Sequence, residues 1–243
     1  MTLGIVVITN KSYLPTNFLR RLAFADKVLF VHESEKPKLE LPLKNAKFLV
    51  TDPKNNFAQK RNEGLKNINS DWVLFVDDDE IISDDLAKEI THSINKSKFS
   101  GYYLTRRDIC FYQELKYGEI KVQKILRLAR SGSGIFCRSV HEVWNIDGEK
   151  GSLASPLYHQ KDNFISQFIN KIRQYGPLDA DSLNTENKSF NYFRLMFYPK
   201  LKFLNNYFLK QGFRDGLTGL FLAYLMSIQS LSVRIYQWEK TLK

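Results

Sequence analysis

Cysteine is scarce in this chain. Of 243 residues only Cys110 and Cys137 carry thiols, and their spacing fits neither a zinc site nor a disulfide framework. A reduced, cytosolic setting is the expectation. Long apolar runs are also missing near the start. Leu3–Thr9 is too short for a secretory core and no basic stretch precedes it, so no signal peptide is expected. Glycine is absent from residues 9–16, Thr-Asn-Lys-Ser-Tyr-Leu-Pro-Thr. A nucleotidyltransferase would want a glycine-rich, phosphate-cradling loop after its first strand, which disfavours that class. Repeats and low-complexity segments are absent. With 43% apolar residues the chain can bury a proper core, which argues against disorder.

Acid is what the last quarter lacks. The net charge is +10. From Lys188 onward nine Lys/Arg face only Asp215 and Glu239, so this stretch carries +7 of that total. It also holds 13 of the 33 aromatic residues, and Gly216–Val233 runs 18 residues without a charge. That approaches membrane-spanning length. Yet Thr218, Ser227, Gln229, Ser230 and Ser232 interrupt it, and its strongly apolar centre, Leu220–Ile228, is short. Three readings stay open: a helix or helical hairpin lying in a membrane interface between basic and aromatic anchors, a helix packed on the main domain, and a true span. The first makes an anionic membrane surface the partner. Basic residues interleaved with aromatics can also stack on bases, but the long uncharged centre fits a membrane better, and no nucleic-acid partner is expected.

The rest of the chain alternates strand-like and helix-like segments. Strands are predicted over 3–9, 27–32, 46–51 and 72–76, and helices over 16–25, 57–68 (capped by Asn55 or Asn56) and 84–96 (capped by Ser83). Alternation of this kind gives right-handed βαβ units and a mostly parallel sheet. After Ser100 the pattern changes to strands over 102–105, 121–128 and 134–140 joined by Gly/Ser turns, an antiparallel extension, then a helix over 164–175. The expected division is an α/β domain over 1–187 and a basic, aromatic helical tail over 188–243.

The stretch that concentrates chemistry is Trp72-Val73-Leu74-Phe75-Val76-Asp77-Asp78-Asp79-Glu80. An aromatic and β-branched run reads as an interior strand. It ends in four acids, which repel one another unless a cation sits among them. Oxygen ligands at the carboxyl end of a strand suit Mg²⁺ or Mn²⁺, and ligands bind at that edge of open α/β sheets. The plain alternative is an acidic turn leading into a helix.

In order and spacing, the first strand, Gln59-Lys60-Arg61-Asn62-Glu63-Gly64 and the acidic strand end resemble family-2 glycosyltransferases of the GT-A fold, a Rossmann-like, mixed, mostly parallel sheet flanked by helices. Within that family the chain is most similar to bacterial lipopolysaccharide-core glucosyltransferase-type enzymes. The segment Arg127–Trp144, with its "V-H-E", the segment Leu157–Ala180 and the "D-G-x-x-G" at Asp215 support that subgroup. The resemblance implies an inverting, metal-dependent enzyme that takes a sugar from a nucleoside diphosphate sugar to a saccharide or lipid-linked acceptor. It implies work in cell-envelope glycan synthesis, peripheral on the inner face of the membrane.

Residue roles follow from the same resemblance. Asp77 matches the acid that touches ribose and helps at the cation, and Asp79 the acid that binds Mn²⁺ or Mg²⁺ directly. Asp78 occupies the variable position, and Glu80 is a supporting acid or a helix-start acid. Lys60 and Arg61 offer cations to the diphosphate, unless Lys60 merely lies on a solvated helix face. Thr9 ends the first strand beside the donor. Inversion needs a base for the acceptor hydroxyl; Glu142 is the candidate, with a surface strand-end acid as the alternative. His159 is a candidate nitrogen ligand or diphosphate contact. One departure concerns the donor base. Where the family carries D-x-G-S-x-D, this chain has His32-Glu33-Ser34-Glu35-Lys36-Pro37, so Glu33 is the candidate replacement for the base-reading acid.

Overall fold

A computed structural model describes residues 1–33, 43–119, 122–138, 142–161 and 163–242. Most of the expected 33–45 loop, Lys121 of the predicted 121–128 strand, and Val140 and His141 of the V-H-E motif fall outside them. In chain order the elements are β1 (Leu3–Ile8), α1 (Thr16–Arg20), β2 (Lys27–His32), β3 (Ala46–Val50), α2 (Phe57–Asn67), β4 (Trp72–Asp77), β5 (Glu80–Ile82) and α3 (Asp84–Asn95). There follow β6 (Gly101–Cys110), β7 (Gln113–Glu114), β8 (Gln123–Arg130), β9 (Gly134–Cys137), β10 (Val143–Ile146), β11 (Lys150–Lys161), α4 (Phe164–Thr185), α5 (Tyr192–Leu204) and α6 (Gly216–Thr241). They form two units, Met1–Arg106 with Gln123–His159, and Arg107–Val122 with Gln160–Lys243. The helix assigned by its sequence to the first domain, α4, groups with the second unit.

The first unit is built on a mixed sheet in the order β3-β2-β1-β4-β8-β6-β11-β5. Its first four strands run parallel, and β8 pairs antiparallel with both β4 and β6. Period-two alternation explains why β1 and β4 read as unbroken apolar runs. Leu3, Ile5 and Val7 join Trp72, Leu74 and Val76 in the core on one face. Val6, Val73 and Phe75 pack into the core on the other. Each fully buried side chain of this size contributes about 1.5–3 kcal/mol of transfer free energy.

Three local features then place the site. First, β1 and β4 are in register to their ends, with Ile8 opposite Asp77, so Thr9 and Asp78 leave the sheet side by side. Second, α2 starts in a capping box made by Asn56 and Gln59, which decides between the two expected caps. The helix lies close on β1: a Cβ on Gly64 would meet Val6 Cγ1 at 2.6 Å, which is why the motif closes on glycine. Third, Glu80 begins a strand, not a helix. Strand β5 pairs antiparallel with β11, with Glu80 opposite His159. The sequence signalled neither β5, β10 nor β11, because β5 is three residues long and the other two are broken by polar residues. Helix α1 also ends at Arg20, five residues short of expectation, with no side-chain cap at its start.

In the second unit β7 pairs with the end of β6, and α4, α5 and α6 pack together. Helix α4 is longer than predicted. Asp215 is buried and accepts from the Lys116 and Tyr117 amides at 3.2 and 2.9 Å, which fixes the entry to α6. Gly216 has φ +62°, and a Cβ on Gly219 would meet the Gly212 carbonyl at 1.8 Å, so both glycines of the D-G-x-x-G motif are required by backbone geometry. The tail is a helical hairpin, α5 to α6, joined by a π-helical turn and a 3₁₀ turn. Gly212–Thr241 is one helix long and apolar enough to cross a membrane by length and composition.

Candidate active site

At the carboxyl ends of β1 and β4 the first unit opens into a cavity of about 590 Å³. Thr9, Lys60, Arg61, Asp77, Asp78, Asp79, Glu142 and His159 all line it. Eight of the nine predicted site residues are therefore brought to one place. The ninth, Glu33, lies at the end of β2 and is ion-paired with Lys60. That pair, with a further hydrogen bond from Asn10, holds the Glu33 carboxyl below its ordinary value.

The acids at the end of β4 do not wait for an external cation; the protein supplies countercharges. Asp77 Oδ1 accepts from Arg61 Nη2 at 2.9 Å and its Oδ2 from Arg127 Nη2 at 2.8 Å. Burial alone would raise the Asp77 carboxyl, but the two guanidiniums outweigh it and hold it low. Asp78 accepts from the Thr9 hydroxyl at 2.5 Å and pairs with Lys11 at 2.9 Å. Glu80 is almost wholly buried, accepts from the Asp77 amide at 2.9 Å and faces Arg106 at 3.5 Å. Burial, with the Asp77 charge beside it, pushes Glu80 up to about 7. Of the two roles expected for Glu80, the supporting one fits this geometry, since α3 begins only at Asp84.

Asp79 differs from its neighbours. Its carboxylate is 44% exposed and sits 3.1 Å from His159 Nε2. A carboxylate oxygen and an imidazole nitrogen paired with each other are a donor set that suits Mn²⁺ well and Mg²⁺ less so. Among the described residues no set of three or more His, Cys, Asp or Glu converges as a ready metal site. Asp77, expected beside Asp79 at the cation, has both oxygens engaged by arginines, so the residues that fit a metal are Asp79 and His159.

Arg61 is the centre of the arrangement. It is 4% exposed, and one guanidinium spans two acids: Nη2 to Asp77 and Nη1 to Glu142 Oε1 at 2.5 Å. The Phe136 ring lies 5.3 Å from it. Phe136 is itself clasped by Asn62 of α2, which accepts from its amide at 2.8 Å and donates to its carbonyl at 2.9 Å. Burial, with Arg127 close by, lowers the Arg61 guanidinium. Lys60 is 6% exposed, so it does not lie on a solvated helix face, and Glu142 is not a bare surface acid.

Comparison with known proteins now bears on this cavity. Residues 25–135 match the model of the family described as Glycosyl transferase family 2. Those residues are a family-2 glycosyltransferase domain. The "Lipopolysaccharide core biosynthesis glycosyltransferase LpsC" of Rhizobium meliloti is 24% identical over 192 residues, 76% of this chain and 71% of that protein. An "Uncharacterized glycosyltransferase" of Rickettsia typhi is 26% identical over 163 residues, 62% of this chain. The chain spans 56% of the length of that relative. Among solved structures, S. aureus TarS 1-349 in complex with UDP is 15% identical, covers 100% of this chain and 92% of its own, and overlays with a TM-score of 0.46, a likeness too loose to carry an argument.

Charged residues that sequence reasoning does not single out as site residues also stand at or beside the cavity acids. Arg127 and Lys11 enter the sequence reading only as parts of longer segments, and Arg106 not at all. The signal for Arg127 was available: an arginine between Leu126 and Leu128 in a strand needs a buried acid. Phe57, the first residue of α2, lines the cavity at 56% exposure with the Lys60 ammonium 5.4 Å from its ring centre. An exposed aromatic beside cationic groups offers a face to a planar ligand. Chemically, the cavity combines two cations on one helix, Lys60 and Arg61, an Asp79–His159 pair and a carboxylate, Glu142, tied to Arg61. That set can hold an anionic leaving group on one side and a proton acceptor on the other.

Proposed function

We propose that the glycosyltransferase domain transfers a sugar, with inversion, from a nucleoside diphosphate sugar to a saccharide or lipid-linked acceptor in cell-envelope glycan synthesis. The observation that carries this reading is the double engagement of Arg61 by Asp77 and Glu142. A diphosphate entering the cavity competes for that guanidinium and presents better acceptors to its planar fork. Lys60 and Arg61 then hold the phosphates, and Glu142 is released to take the proton of the acceptor hydroxyl as it attacks the anomeric carbon. Arg127 stays on Asp77 and keeps that carboxylate in place for the ribose. Thr9 orients Asp78 at the floor of the cavity, and Glu33, presented beside Lys60, accepts an N–H of the base. Asp79 and His159 would hold Mn²⁺ or Mg²⁺, which when bound would supply positive charge against the departing diphosphate.

The second unit supports work at an anionic membrane surface, peripheral and on the cytoplasmic side. Along α6 the residues Leu217, Phe221, Tyr224, Ile228, Leu231 and Ile235 are all exposed, a continuous apolar stripe spaced three and four apart. Exposed Phe193, Phe197 and Phe208 stand among Arg194, Lys200 and Lys210 on the α5 side. Such a face gains by burial in an interface and by attraction to anionic lipid.

The test is a panel of nucleotide sugars, with and without Mn²⁺, read by thermal shift and by release of the nucleoside diphosphate. One donor is expected to raise the melting temperature and to be turned over in a metal-dependent way. If no donor binds or is hydrolysed under either condition, the reading fails.

A further inference from the structure

The turn between β6 and β7 is strained. Pairing of Cys110 with Gln113 leaves Phe111 and Tyr112 as a two-residue loop, and both have positive φ, 51° and 61°. Turns of that hand favour Asn-Gly, and a bulky aromatic in the left-handed region is an outlier. The surroundings hold the turn in place. Cys110 and Leu115, on either side of it, are buried with Phe164, Phe168 and Leu222. Gln113 donates to the Asp215 carbonyl at 3.1 Å and accepts from the Thr218 hydroxyl at 2.9 Å, which fastens it to the start of α6. Strain of this kind persists only where the fold over-determines it, and it clusters at functional sites.

What the strained turn presents is apolar. Tyr112 is 96% exposed, the most exposed large apolar side chain among the described residues. Phe111 is exposed too, and it meets Phe164 and Phe221 edge to face, at 5.6 and 6.4 Å between ring centres. Phe221 belongs to the exposed stripe of α6, so the turn continues that stripe off the helix. Exposed Ile165, at the start of α4, borders the same cleft of about 300 Å³ as Phe111 and Tyr112. A cluster of apolar side chains this open costs free energy in water unless something covers it.

Charge selects the cover. The described acids beside the turn are engaged within the unit: Glu114 by Arg107 and Asp108 by Lys161, each at 2.5 Å, and Asp215 by the Lys116 and Tyr117 amides. Lys116 and Arg214, which flank this corner, are exposed. Across the unit fifteen Lys/Arg stand against nine Asp/Glu. An aromatic tip flanked by cations matches an anionic lipid surface, where a tyrosine buries its ring and keeps its hydroxyl among the headgroups. We propose that the β6–β7 turn is a membrane-inserting tip that places Tyr112 and Phe111 between the headgroups of an anionic bilayer. The inference rests on the membrane reading given above for α5 and α6, and it adds an anchor outside those helices. The locked backbone serves that role, because a turn already ordered loses little further freedom on insertion.

The experiment uses the full chain and vesicles of equal parts phosphatidylcholine and phosphatidylglycerol, read by co-sedimentation, with thermal melting of the same samples. Tyr112→Gly removes the ring and relieves the backbone, since glycine takes positive φ freely. It is expected to melt at or above the wild-type temperature and to lose about fivefold in vesicle binding, the share of one interfacial aromatic. Tyr112→Trp is expected to bind as wild type does. Independently, Tyr112→Cys on a Cys137→Ser background carries a thiol-linked, environment-sensitive fluorophore, Cys110 being buried. Its emission is expected to shift to the blue when vesicles are added. The proposal is overturned if Tyr112→Gly binds vesicles as wild type does, or if the fluorophore stays in water while the protein sediments; α5 and α6 then still carry the membrane reading. A shift with protein concentration alone also overturns it, because the tip is then a contact between two copies of the chain. Wild type that sediments with no vesicle removes the membrane reading and the tip together.

Discussion

The two units handle unfavourable groups in opposite ways. The first gathers a paired charge cluster around the end of β4: Arg61, Arg127 and Glu80 are deeply placed, and the two arginines close on Asp77. The second keeps most of its charges at the surface and leaves large apolar side chains exposed instead. Desolvated charge is costly, and a protein keeps it where geometry matters. Exposed apolar area is costly in water, and a protein keeps it where another phase or partner covers it. The contrast separates a unit that gathers paired charge around one cavity from one that presents apolar surface.

That contrast can be broken most forcefully at Asp79, the exposed acid at the end of β4. Asp79→Ala is expected to cut donor turnover by roughly 10²–10³-fold, the usual loss of one preorganised electrostatic group, while the melting temperature stays close to wild type; steady-state kinetics with denaturation of the same samples checks both. Arg127→Met acts on a part-buried pair and is expected to destabilise the fold by about 1–3 kcal/mol, because Asp77 loses one of its two guanidiniums. Urea midpoints measure it. In the second unit the corresponding change at the exposed Lys188–Glu186 pair, Lys188→Ala, is expected to move the midpoint by less than about 0.5 kcal/mol. A membrane test comes between them: Phe221→Ser with Ile228→Ser should reduce sedimentation with anionic vesicles about tenfold or more, from about 1–2 kcal/mol of lost apolar burial, without affecting thermal unfolding.

The smallest expected effect is that of pH. The Glu33 carboxyl sits below its ordinary value of 4.5, chiefly through its hydrogen bond with Lys60. A carboxyl depressed in the folded state contributes stability that is present above 4.5 and is lost as pH falls through the lower folded value. Thermal unfolding should therefore weaken below about pH 4.5, and Glu33→Gln should flatten that part of the profile. An unchanged profile would mean that the Glu33–Lys60 pair is too solvated to matter.

Much of this was legible in the residues. The interior strands announced themselves by unbroken apolar runs, and the acidic end of β4 by its crowding. Which acids were open was not legible. Asp77, Asp78, Asp79 and Glu80 look alike in sequence, yet their partners come from β1, α2, β6, β8 and β11, up to 80 residues away. Pairing at that distance is set by sheet register, and a one-residue slip would change every partner. The short strand β5 is the sharpest case. It turned an expected helix-start glutamate into a buried support, and only the β11 pairing shows it. In the tail, Asp215 and its two glycines were visible as a motif, but their reason, a buried carboxylate on two amides and one close backbone approach, needed the fold.

Asn62 has one more consequence. By holding both the amide and the carbonyl of Phe136, it fastens the β9–β10 hairpin to α2, the helix that carries Lys60 and Arg61. Glu142 enters β10 from that hairpin. The cationic side of the cavity and the hairpin that leads to Glu142 are thus tied to one helix. Anyone grafting this hairpin into a relative to alter acceptor choice should move α2 with it, or rebuild the asparagine clasp, because an unlatched hairpin would present the glutamate with no fixed distance to the arginine.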